Sequence, residues 1–144
     1  MIRPLGGRAP GAYRAGMASW DDVRRAARAL PGAVEETGRD GLATWRVRGR
    51  AFARERPLRK GDLAELGDAA PAGPVLAVQV PDLGAKEAVL AGDPAVCFTT
   101  GHFTGWPVVL VRLDDVSADL LAELVGEAWA CRAPARLVAR HRPG

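Results

Sequence analysis

A chain of 144 residues with 48% hydrophobic and 26% charged side chains is long enough for one globular domain with a sizeable core, and too apolar to stay disordered. No apolar run reaches the roughly 18 residues that a membrane-spanning helix needs, and the N-terminus lacks the apolar core of a secretory signal, so a cytoplasmic protein without a membrane partner is expected. The net charge of +3 suggests an acidic partner, but Arg3, Arg8 and Arg14 near the N-terminus account for the whole excess, so what matters is where the other cations gather.

Residues 1–16 mix Gly, Pro, Ala and Arg without periodicity and read as a flexible leader ahead of a second Met at position 17, with a single domain over residues 17–140. Ser19 followed by Asp22 is a capping box before the apolar stripe Trp20, Val23, Ala27 and Leu30, and Pro31-Gly32 closes this first helix. The period then drops to that of strands: 33–37, a turn through Asp40-Gly41, 42–48, a two-residue Gly49-Arg50 turn of type II′, and 51–56. That register sets Val47 opposite Phe52 and Trp45 opposite Arg54, with Arg46 and Arg48 on the other surface. A charged segment over 60–67 suits a short helix, 68–74 is a loop, and 74–80 is a strand. A helical pattern covers 82–91, and paired strands cover 95–99 and 107–113. Ser117 caps a last helix whose Leu120, Leu121, Leu124, Val125, Ala128 and Trp129 share one apolar face. Helix, antiparallel strands, helix describes an α+β two-layer sandwich with the N- and C-terminal helices on one face of the sheet; the hairpins argue against a parallel sheet, which needs crossover helices.

Candidate chemistry is sparse. The two serines, Ser19 and Ser117, are both placed as helix caps, and no glycine-rich segment matches a nucleotide-binding loop. Cys97 and Cys131 sit in different elements without metal-ligand or redox spacing, which fits buried, reduced thiols. His102, with Trp106 and several threonines nearby, suits a hydrogen-bonding role at a sheet end or a ligand-binding loop. As a base or metal ligand it would need Glu35, Glu36 or Asp40 to converge on it, and the other histidine, His141, lies in a stretch expected to be loose. No metal and no cofactor are expected.

The densest cation cluster is Arg46, Arg48, Arg50, Arg54, Arg56, Arg59 and Lys60, set against a single acid, Glu55. A basic two-stranded ribbon can lie against phosphates, and arginine forks reach phosphate oxygens or a guanine edge. Alternatively, alternate arginines solvate the outer sheet face and blunt an edge strand. Gln79 is the one carboxamide available to read adenine. Arg132, Arg136, Arg140 and Arg142 form a second basic stretch after acids early in the last helix, a distribution that also satisfies the helix dipole.

Taken in order, the first helix ending in Leu30-Pro31-Gly32, the hairpin GRAFA at 49–53, the HFTGW loop at 102–106 and the helix ending in Ala128-Trp129 resemble the MmcQ/YjbR family over about residues 19–136. The resemblance implies a CyaY/frataxin-like fold, with both terminal helices against one face of an antiparallel sheet, and a family commonly labelled DNA-binding with no associated reaction. Arg50 stands where the family commonly has lysine, which keeps the charge but changes its geometry. Frataxin-type iron binding does not carry over, because the first helix offers only Asp21 and Asp22 before turning arginine-rich. The expectation is a non-enzymatic protein that binds nucleic-acid phosphates through its basic hairpin with little sequence preference. The alternative is a protein- or small-ligand-binding module built on the His102 to Trp106 loop; an enzyme would need an activated group converging on His102.

Overall fold

The computed structural model describes residues 18–141; the expected leader over 1–16, the second start at Met17 and the cation Arg142 lie outside them. Helix α1 (Trp20–Arg28) starts at the expected capping box, in which the Asp22 backbone N–H donates to Ser19 Oγ (3.3 Å) and the Ser19 N–H donates to Asp22 Oδ2 (2.8 Å). Six strands follow: β1 (Ala33–Thr37), β2 (Ala43–Val47), β3 (Arg50–Glu55), β4 (Val75–Gln79), β5 (Cys97–Phe98) and β6 (Val108–Arg112). They form one antiparallel sheet in the order β1-β2-β3-β4-β6-β5. Helices α2 (Lys60–Leu66) and α3 (Leu83–Gly92) interrupt the strands, and α4 (Ala118–Arg132), capped by Ser117, closes the layer.

The two faces of this sheet are unlike. On one, Trp45, Val47, Leu76, Val78, Val109 and Val111 are buried beneath α1 and α4, which also pack on each other, while Val89 and Leu90 of α3 close the β6 end. Trp20 stacks on Trp45 with ring centroids 6.3 Å apart, and Trp129 Nε1 donates to the Pro31 carbonyl (2.9 Å), so the two terminal helices are tied together at the turn after α1. The architecture is the α+β two-layer sandwich expected from the sequence. The other face has only a partial cover: Leu58, Leu66 and Phe103 pack over Val75, Ala77, Phe98 and Leu110, and the β1–β3 half stays open.

Four local features differ from the sequence reading. The hairpin turns at Arg48-Gly49, not Gly49-Arg50, with both residues at positive φ (51° and 79°) as a type I′ turn requires, so Val47 faces Arg50. A bulge at Phe52 then sets Trp45 opposite Ala53 and Thr44 opposite Arg54, in place of the expected Val47–Phe52 and Trp45–Arg54 pairs. Strand β5 is only two residues long because the Asp93 carbonyl takes the N–H groups of Val96 and Cys97 in a turn around Pro94. The C-terminal stretch expected to be loose is helix α5 (Ala135–His141); Leu137 and Val138 pack on the core and the His141 ring meets Trp129 edge-on at 5.1 Å.

Candidate anion-binding face

Cross-strand neighbours share a face, so the pairs Thr44–Arg54 and Arg54–Ala77 put Arg54 in the middle of the open side of the sheet. Three adjoining depressions meet at this residue. One of about 480 Å³ lies towards Arg39 and Arg59, one of about 180 Å³ runs past Ala51 and Gln79 to Arg132, and one of about 320 Å³ is walled by His102, Phe103, Trp106 and Val108. The Arg54 side chain makes no hydrogen bond or ion pair among the described residues. Partial burial, then the charges of Arg56 and Arg59, push its pKa below the ordinary arginine value. An incoming anion would relieve that repulsion.

The bulge and the turn divide the rest of the hairpin cations instead of gathering them. Arg50 lies on the helical side, where its guanidinium donates to the Arg132 carbonyl at the end of α4 (3.4 Å). Arg46 is on the open face but is engaged, with Nε 2.9 Å from Glu36 Oε1 and a second bond to the Gly49 carbonyl. Arg56 is 3% exposed: it pairs with Asp62 at 3.2 Å, donates to the Pro57 carbonyl and stands 5.2 Å from the centre of the Phe103 ring. This arginine holds α2 and the 101–106 loop together and is not open to a phosphate. Burial opposes the charge on Asp62, but the Arg59 backbone N–H and the Arg56 guanidinium outweigh it and hold the carboxyl below its ordinary value. Arg48, Arg59 and Lys60 are exposed, at the hairpin tip and beyond the far end of β3.

The His102 to Trp106 loop is braced from beneath. Lys86, buried in α3, donates from Nζ to the Phe103 carbonyl (2.8 Å) and the Trp106 carbonyl (2.9 Å), and burial lowers its pKa. Glu65 of α2 accepts the Gly101 N–H at 2.9 Å, and Phe103 is sunk in the smaller apolar cluster. On this rigid base Trp106 is 62% exposed, a costly position for an indole with no packing role. His102 is exposed with its ring 4.8 Å from that of Phe103, and the carboxylates proposed to approach it do not: Glu35 pairs with Arg24, Glu36 with Arg46, and Asp40 caps the turn at Leu42. Among the described residues no three His, Cys, Asp or Glu side chains come together to hold a metal. Cys97 is buried, and desolvation, reinforced by Asp93, pushes its thiol up to about 11.

Two residues of this site carry different weight from their sequence reading. Gln79 is spent: its Oε1 accepts from Arg132 (2.9 Å) and its Nε2 donates to the Val80 carbonyl, so it is not available to read adenine. Lys86 is marked in the sequence only by its place at helical spacing with Val89 and Leu90, where it interrupts an apolar stripe, and such a cation must find acceptors inside.

The chain matches the YjbR family model over residues 28–131. It is 46% identical over 125 residues to the uncharacterized protein Mb2600 of Mycobacterium bovis, covering 85% of this chain and 94% of that protein. The uncharacterized protein Rv2570 of Mycobacterium tuberculosis matches to the same extent. Among solved structures, the Deinococcus radiodurans protein DR2400, a DUF419-domain protein, superposes with a TM-score of 0.57 at 22% identity, covering 81% of this chain and 79% of that one.

Proposed function

The chain belongs to the YjbR family, and from that premise we propose that it is a non-catalytic nucleic-acid-binding protein whose open sheet face takes phosphates at Arg54. Arg48 at the hairpin tip and Arg59 and Lys60 beyond β3 extend the contact along the same strand. The observation that carries this reading is the Arg54 guanidinium, exposed at the junction of three depressions, repelled by two neighbouring arginines and joined to no carboxylate among the described residues. A phosphate supplies the missing counter-charge and two acceptor oxygens for the fork. With few such cations and no carboxamide left for base edges, binding is weak, insensitive to sequence and governed by salt.

Fluorescence anisotropy of a labelled DNA across a salt series tests this. Three or four phosphate contacts give a slope of about −3 in log affinity against log salt. Arg54→Glu lowers affinity by about tenfold or more, whereas Arg46→Gln, which removes a cation already paired with Glu36, has little effect. No binding at low salt, or an Arg54→Glu variant that binds like the parent, refutes the proposal.

A second reading, a small-ligand module on the His102 to Trp106 loop, is favoured by the depression of about 320 Å³ beside Trp106, which has the size and aromatic lining of a ligand pocket. It predicts that small aromatic anions raise the melting temperature of a protein that fails to bind DNA.

A further inference from the structure

We infer that the depression between Trp106 and Arg54 receives an unpaired nucleobase, so that the preferred ligand of the open face is single-stranded nucleic acid. This rests on the phosphate-binding reading above and specifies it. An aromatic wall and a cation line one cavity. Trp106 and His102 stand exposed at the space of about 320 Å³, Val108 and Phe103 contribute apolar surface, and Arg54 lines the same space. That is the chemistry of a nucleotide: a flat π-face next to an anion.

The wall is also built in advance. The two bonds from Lys86, the Glu65 bond to the Gly101 N–H and the buried Phe103 ring fix the loop without any ligand, and the Trp106 N–H is itself bonded to the Phe103 carbonyl. Little ordering entropy then remains to oppose stacking on Trp106. The strand has somewhere to continue on either side, because the depressions towards Arg39–Arg59 and towards Arg132 both open from Arg54. Duplex bases are already stacked on one another and keep their faces from the Trp106 indole, whereas an unpaired base presents its face freely.

The experiment compares a labelled oligothymidylate, its duplex with oligoadenylate and free thymidine monophosphate, each at the same low salt, for the parent protein, Trp106→Ala, Trp106→Phe and Arg54→Glu. The exposed position of Trp106 lets its variants fold, and circular dichroism of each variant checks this. The expected result is single-strand affinity about tenfold above duplex affinity, lost in Trp106→Ala, largely kept in Trp106→Phe, and accompanied by a change in tryptophan fluorescence absent from both Trp106 variants. Arg54→Glu weakens single strand and duplex alike. Equal or tighter duplex binding by the parent, or a Trp106→Ala variant with unchanged single-strand affinity, overturns the base pocket while leaving the phosphate reading in place. Free thymidine monophosphate binding as tightly as the polymer overturns the single-strand assignment, and absence of binding to both polymers at low salt overturns both readings together.

Discussion

At the scale of single residues, this chain separates arginines that build the fold from arginines that face solvent, and neighbouring carboxylates make the separation. Arg56 and Asp62 are both nearly inaccessible and joined at 3.2 Å, so each satisfies a charge that would otherwise be buried alone. Asp62→Asn leaves Arg56 buried without its counter-charge and costs about 3 kcal/mol, read from denaturant midpoints at neutral pH. The same pair sets a pH dependence. The Asp62 carboxyl is held below its ordinary value, so its stabilisation is complete above the usual carboxylate pKa of about 4 and is lost as pH falls through the lowered value. The parent protein therefore loses stability on acidification below about pH 4 more steeply than Asp62→Asn does; parallel acid limbs would contradict this assignment.

At the scale of elements, the β2–β3 hairpin decides which cations reach the open face. Its turn places Arg48, a residue with a Cβ, at a positive φ of 51°, next to Gly49 at 79°. Asparagine tolerates that conformation better, so Arg48→Asn raises stability by about 0.5–1 kcal/mol, while Gly49→Ala lowers it by about 1 kcal/mol. Nothing lies within reach of a Cβ at Gly49, so the second effect is one of backbone conformation alone. Thermal melts of the two variants check both signs. The turn position and the bulge at Phe52 were not legible along the chain, since Gly49-Arg50 and Arg48-Gly49 are both acceptable two-residue turns by composition. What separates them is the packing of Val47, Phe52 and Ala53 into the core, a property of the assembled sheet.

At the scale of the whole molecule, Lys86 links the helical layer to the loop at 101–106. Replacing it with methionine removes both donors under Phe103 and Trp106, so amide exchange at Thr104 and Trp106 quickens while that of the central strands β4 and β6 is unchanged. Uniform acceleration across the sheet would show instead that Lys86 supports the whole fold. The capping box at Ser19, the stripe of α4, the strand periods and the order of short motifs were enough, read along the chain, to determine the α+β sandwich and the family, because each depends on residues close together in sequence. The tertiary structure alone decided which of the described cations are paired and which stay exposed. Glu36 reaches Arg46 across a strand pair, Asp62 reaches Arg56 from the following helix, and Arg54 is left beside Trp106, a residue 52 positions further along the chain. Neutralisation and exposure depend on distances through space, and local sequence pattern carries no record of those.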